Sequence, residues 1–185
     1  ARGNSQFYFN NHNADNHSGS TNHRIGYDKM IDKIISDLTS VYGICKFDTV
    51  KDNLINCRAK LRLPDGAKSV IVMLFPYYLG EDKYKNINIS RYAVVKDYHI
   101  AINSVIGETL ETLKQTYPNE KFVFFTDNSP IPEVKAAVAA GLGVIGKNRL
   151  LINKDYGSWF FISEIVTTLD LPAAEIGNTD CINCG

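Results

Sequence analysis

Asp127 stands where acid–base chemistry is most favoured, because it follows the apolar segment 121–126. A carboxyl group at the end of a buried strand is often partly desolvated, which raises its pKa and lets it hold a proton near neutrality. A general acid needs that property. The alternative is a local turn, in which Asp127 or Ser129 hydrogen-bonds the following backbone ahead of Pro130. The residues alone leave both interpretations open.

A glycine-rich segment further along the chain resembles two nucleotide-binding motifs. Gly141, Gly143 and Gly146 match G-x-G-x-x-G, and with Lys147 they fall one residue short of a P-loop. Both motifs require a strand before the glycines and a helix after them, because the helix N-terminus holds the phosphate. Here a helical pattern comes first and a strand pattern follows, and Asn148 replaces the hydroxyl residue of a P-loop. We therefore reject both motifs.

These glycines have two other interpretations. They permit close approach of the backbone, either to another element or to a flat ligand. They are also typical of a helix C-cap followed by a tight turn. Lys147 is accordingly either a surface cation or an anchor for the anionic or amide edge of a ligand.

Further donors and acceptors surround the predicted start of a helix. Arg91, Tyr92, Tyr98 and His99 lie there, although a single histidine in such a place more often has a structural role. The aromatic residues at 159–161 lie in a predicted strand and are expected in the core or on a sheet face.

The cysteines indicate the redox environment. Cys181 and Cys184 form a C-x-x-C pair near the end of the chain, while Cys45 and Cys57 stand alone. The N-terminal segment lacks the pattern of a secretory signal. We therefore expect a cytoplasmic protein, in which such a pair indicates metal or redox chemistry rather than a disulfide.

The composition is that of one globular domain. The chain has 185 residues, of which 44% are hydrophobic and 22% charged, and its 20 basic and 20 acidic residues give a net charge of zero. This balance argues against a strongly basic nucleic-acid-binding surface and against a polybasic membrane anchor. The sequence also lacks an apolar run near the ~20 residues that a membrane-spanning helix needs, so no membrane partner is expected.

Hydrophobic periodicity predicts the elements that position these residues. Helices and strands interleave, and a late hairpin argues against a purely parallel sheet, which indicates an α/β or α+β domain with a mixed sheet flanked by helices. Residues 1–24 lack an apolar period and are predicted to be a tail, a tag remnant or a disordered arm, and residues 44–62 stay unassigned. The predicted elements are a helix from Tyr27 to Gly43, a strand at Ser69–Phe75, a helix at 93–116, a strand at Lys121–Phe125, a helix at 132–140, and a hairpin of 149–152 with 158–168.

Several segments occur in the order found in one known family. From about residue 28 to its end the chain resembles the epoxyqueuosine reductases, cobalamin-dependent iron–sulfur enzymes of queuosine-tRNA synthesis. The segments that carry the resemblance are Ser90–Ala93, Asp97–His99, Asp127–Ile131, Ala140–Asn148, Leu150–Ile152, Gly157–Ser158 and Glu164–Ile165. The block from 127 to 165 is the most specific part.

The resemblance implies a domain organisation. Residues 25–170 would form a nitroreductase-like, cobalamin-binding catalytic domain, and residues 171–185 a linker with the truncated start of a ferredoxin-like [4Fe–4S] domain. The family's cluster motif begins C-x-x-C-x-x-C-x-x-x-C-P, so Cys181 and Cys184 would be the first two metal ligands. Because two thiolates cannot hold a cluster that needs four, we expect a fragment that is inactive without its iron–sulfur domain.

The resemblance also implies the reaction and its residues. Asp127 would be the proton donor that protonates the departing oxygen while epoxyqueuosine in tRNA is reduced to queuosine. Most of the affinity for the tRNA partner would come from other domains, and the electron donor stays unassigned. The residues implied to lie against cobalamin or to line its pocket are Gly141, Gly143, Gly146, Lys147, Asn148, Arg91, Tyr92, Tyr98 and His99.

Two departures from the family pattern concern the pocket wall. Residues 94–96 replace a segment in which the family usually has a glycine, and Val144 stands where an aromatic residue is usual. These changes leave the identity of the substrate less defined than the identity of the cofactor. Two alternatives therefore stay beside the leading hypothesis: a corrinoid-binding module without catalysis, and a flavin-dependent, nitroreductase-like oxidoreductase.

Overall fold

The computed structural model describes residues 28–78, 85, 88–94, 97–175 and 181. The predicted tail at 1–24 and the predicted ligand Cys184 lie outside the described residues. Short 3₁₀ turns at Phe47–Thr49, Lys51–Asn53, Arg58–Arg62 and Arg91–Ala93 connect the larger elements. These larger elements are α1 (Lys29–Ser36), β1 (Tyr42–Lys46), β2 (Ser69–Pro76), α2 (Tyr98–Thr116), β3 (Phe122–Thr126), α3 (Glu133–Ala139), β4 (Val144–Ile145), β5 (Leu151–Ile152) and β6 (Phe160–Thr167).

Four strands form the main sheet in the order β1–β2–β6–β3. The predicted fold class, a sheet covered by helices, is confirmed. The sheet differs from the predicted mixed one in that its described pairings are all antiparallel. The reason is that β2 and β3, which run in the same direction, are not neighbours, since β6 lies between them and runs the opposite way.

Alternating side chains of β2 create two hydrophobic layers on opposite faces of the sheet. Val70 and Val72 pack with the alanines of α3 on one face. Ile71 and Met73 pack with apolar residues of α1 and α2 on the other. A strand buried on both faces has a continuous apolar sequence, which explains why this strand could be predicted. Each such side chain contributes about 1.5–3 kcal/mol when it leaves water.

Capping carboxylates set where two helices begin. Asp28 accepts a hydrogen bond from the N–H of Met30 at 2.9 Å ahead of α1, and Asp97 accepts one from the N–H of His99 at 2.9 Å ahead of α2. Helix α2 therefore begins at Tyr98, whereas the sequence predicts a start at residue 93. The residues just before it form the separate 3₁₀ turn Arg91–Ala93.

The predicted hairpin of 149–152 with 158–168 is wrong in its pairing. The chain does turn there, because Asn153 and Gly157 form an antiparallel bridge. Beyond that bridge, however, β5 pairs with β4, and β6 pairs with β2 and β3. Both edges of β6 are thus occupied by long strands, which leaves no edge for β5.

The longest described helix, α2, has 19 residues and carries Glu108, Glu111 and Lys114 on its length. Within the described residues, no helix combines the length and the apolar character that crossing a bilayer requires.

Candidate active site

Asp127 follows β3 and begins residues 127–131, a segment that we call the acid loop. Its φ of 62° lies in the left-handed region that residues other than glycine seldom adopt. Its side chain is 65% exposed, so the partial desolvation that was one of the two interpretations of this carboxyl group is not observed. The predicted turn forms at Ser129, whose Oγ accepts a hydrogen bond from the N–H of Ile131 at 3.1 Å.

Two residues from the first turn of α2 contact Asp127. His99 Nε2 lies 3.3 Å from Asp127 Oδ2, and the Tyr98 hydroxyl hydrogen-bonds the same carboxyl group. Burial, followed by the charge of Asp127, raises the pKa of Tyr98 to about 12. The phenol therefore keeps its proton and acts as a hydrogen-bond donor. The structure thus brings together three of the predicted site residues.

Asp97 orients the His99 ring from the opposite side. Its Oδ1 lies 3.1 Å from His99 Nδ1 and also accepts the His99 backbone N–H. Hydrogen bonds, first from that backbone N–H and then from the ring, hold the pKa of Asp97 below its usual value. A carboxylate facing Nδ1 favours a proton on that nitrogen. Nε2 is then the ring atom that can exchange a proton with Asp127.

An aromatic run extends away from this cluster, where β2 ends and β6 begins. Tyr98 stacks on Phe161 with ring centroids 4.0 Å apart and an interplanar angle of 8°. Phe161 contacts Tyr77 at 4.7 Å, and Tyr77 contacts Trp159 edge-on at 6.2 Å. These rings form a continuous apolar surface that leads to the Asp127 cluster.

Arg91 joins the far end of the aromatic run. Its guanidinium carbon lies 4.8 Å from the Trp159 ring centroid and 5.5 Å from that of Tyr78, within the range of cation–π attraction. Trp159 is 38% exposed and precedes β6, so it lies neither in the core nor in the strand where the sequence placed it. Tyr92, beside Arg91, is 56% exposed.

The glycine-rich segment lies at the other end of α3, a helix whose seven residues span about 10 Å. Gly141 has a φ of 73° and caps this helix, because its N–H donates to Val138 O and the next N–H donates to Ala137 O. A Cβ atom at Gly143 would lie 2.3 Å from Ile152 O. The predicted C-cap and the close approach to another element are confirmed. Contact of these glycines with a flat ligand stays a prediction.

The outer side of the same segment carries two exposed apolar side chains and two exposed polar ones. Ile145 is 41% and Leu150 is 51% exposed, and Lys147 and Asn148 are exposed beside them. A Cβ atom at Gly146 would crowd the side chains of Ile152 and Asn148, so glycine keeps this turn compact. Exposed apolar side chains next to an ammonium and an amide suit a large flat ligand with polar edges.

Two carboxyl groups near the acid loop, one fully buried and one half-buried, were not among the predicted site residues. Glu164 in β6 is fully buried, and this burial raises its pKa to about 8, although a hydrogen bond from Ser129 opposes the rise. Burial, followed by the charge of Asp127, raises the pKa of Glu133 to about 7. Within the described residues, Oε1 of each carboxyl group lacks a hydrogen-bond partner. A glutamate in the middle of the apolar segment 160–166 was the available signal.

The described cysteines do not form a metal site. Cys181 is half-buried and unpaired, and Cys45 is buried with its pKa raised to about 12 by burial and then by Glu164. Within the described ranges, no cluster of three or more possible metal ligands occurs. The described residues therefore supply at most Cys181 of the four thiolates that a [4Fe–4S] cluster needs.

Comparison with known proteins connects this geometry to a family. Residues 58–128, which include Arg91, Tyr98, His99 and Asp127, match the family model described as "Epoxyqueuosine reductase QueG, DUF1730". The epoxyqueuosine reductase of Cyclobacterium marinum is 39% identical over 127 residues, which make up 67% of this chain and 40% of that protein. The chain thus spans well under half the length of this relative.

Solved structures agree with the fold. The epoxyqueuosine reductase of Streptococcus thermophilus matches with a TM-score of 0.67 and 19% identity, over 84% of this chain and 49% of that one. An epoxyqueuosine reductase with a tRNA-Tyr epoxyqueuosine-modified stem loop matches with a TM-score of 0.63 and 19% identity, over 84% and 48% of the two chains. At these identities the structural matches establish the fold, and together with the sequence matches they confirm the predicted resemblance to the epoxyqueuosine reductases.

Proposed function

We propose that this chain is the cobalamin- and substrate-binding part of an epoxyqueuosine reductase, with Asp127 as the proton donor to the oxygen that leaves the substrate. The observation that carries this proposal is the cluster at the end of β3. It holds an exposed carboxyl group in contact with His99 and Tyr98, at one end of an aromatic surface. The sequence relatives that match this region are named epoxyqueuosine reductases.

The cluster supplies what the reaction requires of a protein. Reduction of an epoxide to an alkene removes the oxygen as water and consumes two electrons and two protons. Asp127 donates one proton to the departing oxygen from an exposed position that a substrate can reach. His99 Nε2, 3.3 Å from Asp127 Oδ2, takes up a proton from solvent and passes it to the Asp127 carboxylate, which then donates the second proton that completes the water. Tyr98 donates a hydrogen bond that holds this carboxyl group in place.

The exposed apolar side chains beside the glycine-rich segment support cobalamin as the proposed cofactor. When bound, cobalamin would supply a strongly reducing cobalt centre as the electron source. Ile145 and Leu150 would contact its ring, and Lys147 and Asn148 its amide side chains. Arg91 and Tyr92, at the far end of the aromatic run, would complete the wall of the pocket. The domain at 25–170 is proposed to contain this whole site.

The iron–sulfur part of the proposal extends beyond the described residues. Cys181 and Cys184 would be the first two thiolates of a [4Fe–4S] motif, and no step of the chemistry above depends on them. The tRNA substrate is proposed from the stem loop bound to a relative of the same fold. With a net charge of zero, this chain would contribute little of the phosphate binding. The cytoplasm is the proposed location.

The first test is a titration of the purified chain with cob(II)alamin, followed by gel filtration. We expect stoichiometric co-elution and a shifted corrin absorbance spectrum. Retention of a flavin instead, or of neither cofactor, would overturn the cofactor assignment. Retention of cobalamin without any turnover in the holoenzyme would leave a corrinoid-binding module.

Asp127→Asn tests the proposed acid in the holoenzyme. The amide keeps the size of the side chain but has no acidic proton, so kcat for epoxyqueuosine reduction should fall by about 10²–10⁴-fold. The matched control is Asp65→Asn, which makes the same change at an exposed turn and should leave kcat unchanged. Equal rates for the Asp127 variant and the unaltered enzyme would show that another group donates the proton.

A further inference from the structure

The acid loop is tied to the centre of the sheet by one side-chain hydrogen bond. Ser129, two residues after Asp127, is buried, and its Oγ donates to Glu164 Oε2 at 2.5 Å. The same Oγ accepts the N–H of Ile131 at 3.1 Å. Ser129 therefore links the backbone of the loop to a carboxyl group in the central strand β6.

The register of the sheet explains how Glu164 reaches the loop. Glu164 lies directly opposite Val72 of β2 and Phe125 of β3, and directly opposite residues share a face. Val72 and Phe125 belong to the hydrophobic layer that packs against α3. The Glu164 carboxyl group consequently projects toward the side of the sheet where the acid loop leads into α3.

We propose that Glu164 is a positioning residue, which holds Asp127 in place for proton transfer by anchoring the acid loop through Ser129. This inference rests on the proposed function of Asp127, but the anchor itself is a property of the chain. Glu164 is fully buried and therefore cannot touch the substrate. The proposed chemistry does not require such a contact.

The conformation of Asp127 explains why an anchor is needed. With a φ of 62°, this residue occupies a backbone region that is unfavourable for a side chain with a Cβ atom, and such residues persist only where the surroundings fix them. The backbone supplies part of that support through the N–H of Ile55, which donates to Pro130 O at 2.7 Å. The Ser129–Glu164 bond supplies support from the sheet.

Burial of the Glu164 carboxyl group costs free energy, and the anchoring role explains why a glutamate stands at this position. An apolar residue would fill the layer between Val72 and Phe125 without desolvating a carboxyl group. Burial raises the pKa of Glu164 to about 8, with the neighbouring charge of Glu133 adding to the rise, so the group is largely uncharged at neutral pH. Oε2 still accepts from Ser129 in that form. The Cys45 thiol, which also faces Glu164, has its pKa raised and stays uncharged as well.

The test compares Ser129→Ala with Ser163→Ala. Ser163 is the neighbour of Glu164 in β6 and is equally buried, but it faces the other side of the sheet, where its hydroxyl bonds Thr126 at 2.9 Å. Each variant removes one buried hydroxyl group, that of Ser163 within β6 or that of Ser129 beside it. Only Ser129→Ala removes the anchor. Ser129→Thr keeps a hydroxyl group and serves as the rescue variant.

Hydrogen–deuterium exchange of residues 128–131 in the full chain reports the anchor directly. We expect exchange about tenfold faster in Ser129→Ala and unchanged in Ser163→Ala and Ser129→Thr. Exchange at the unaltered rate in Ser129→Ala, or equal acceleration in Ser163→Ala, would overturn the inference. This readout does not depend on the substrate, so it stands even if Asp127 proves not to be the acid.

In the holoenzyme, Ser129→Ala should lower kcat by about tenfold or more while KM stays the same, because a small displacement of a reacting group is enough to slow the reaction. Ser163→Ala should keep the unaltered kcat. Faster exchange in the loop with an unchanged kcat would show that the anchor exists but does not position the acid.

Discussion

Asp127 and Glu164 carry the same functional group in opposite surroundings. The Asp127 side chain is 65% exposed and contacts His99 and Tyr98, whereas Glu164 is fully buried in the central strand. The sequence left open whether the Asp127 carboxyl group is partly desolvated, and it gave no indication that Glu164 is buried. The reason is that burial depends on which strand lies opposite, and the pairing of Phe125 with Glu164 joins residues 39 positions apart (164 − 125).

The raised pKa of Glu164 makes stability depend on pH. Its ordinary value of 4.5 is raised to about 8 by burial. Between these two pH values the folded protein keeps a proton that the unfolded chain releases, so stability falls as pH rises through this window and levels off above it. Glu164→Gln removes the titration. The free energy of unfolding of this variant, relative to that of the unaltered protein, should therefore rise by on the order of a few kcal/mol from pH 5 to pH 8.

Thermal unfolding at pH 5 and pH 8 measures this effect. The Tm difference between Glu164→Gln and the unaltered protein should be several degrees larger at pH 8. Glu108→Gln, on the exposed side of α2, is the control with no such change. A Tm difference that is the same at both pH values would contradict the raised pKa of Glu164.

Among the elements, those with strong apolar patterns were predicted well. The strand predicted at 69–75 is Ser69–Pro76, and the helix predicted at 132–140 is Glu133–Ala139. Strand β1 was missed, because its five residues Tyr42–Lys46 have no alternation and Gly43 suggested the end of a helix. Gly43 instead lets β1 approach α3, since a Cβ atom there would lie 2.1 Å from Ala140 O.

Gly143→Ala tests the close contact between β5 and the segment after α3. A Cβ atom at this position would lie 2.3 Å from Ile152 O, and the resulting overpacking should destabilise the fold by about 1–3 kcal/mol. Gly107→Ala is the opposite case, because nothing lies within 4 Å of its Cβ position in α2. That variant should be more stable by about 0.5–1 kcal/mol.

Urea unfolding of both glycine variants gives the comparison. The midpoint concentration should fall for Gly143→Ala and rise for Gly107→Ala, with an unchanged m value in both cases. If Gly143→Ala unfolds at the same urea concentration as the unaltered protein, the turn has room to move and the contact is not fixed.

For the whole molecule, three of the predicted site residues lie together, but their arrangement could not be predicted. Tyr98, His99 and Asp127 were each selected from local sequence, and they meet because β3 and α2 lie side by side. The separation of this cluster from the glycine-rich segment by the length of α3 was not apparent from the sequence. Local patterns specify elements, whereas the distance between two sites depends on how those elements pack.

Cobalamin binding should stabilise the whole molecule. A ligand present at 100 times its Kd adds about 2.7 kcal/mol of stability, which for a chain of this size corresponds to a rise in Tm of about 5–10 °C. Thermal unfolding with cob(II)alamin should show this rise for the unaltered chain and for Asp127→Asn, since Asp127 is proposed to act on the substrate. Flavin mononucleotide is the control and should leave Tm unchanged. A rise with the flavin alone would favour the flavin-dependent alternative.

The strand order β1–β2–β6–β3 has a consequence for synthesis on the ribosome. Strand β6 is the last strand of the sheet to be translated, and it is also the one that joins β2 to β3. Until residue 167 has emerged, the nascent chain exposes the unpaired edges of β2 and β3 and the apolar layers on both faces. Such edges invite association with other chains. The chain is therefore expected to depend on chaperone protection until β6 has emerged, and to fold in one step when β6 inserts.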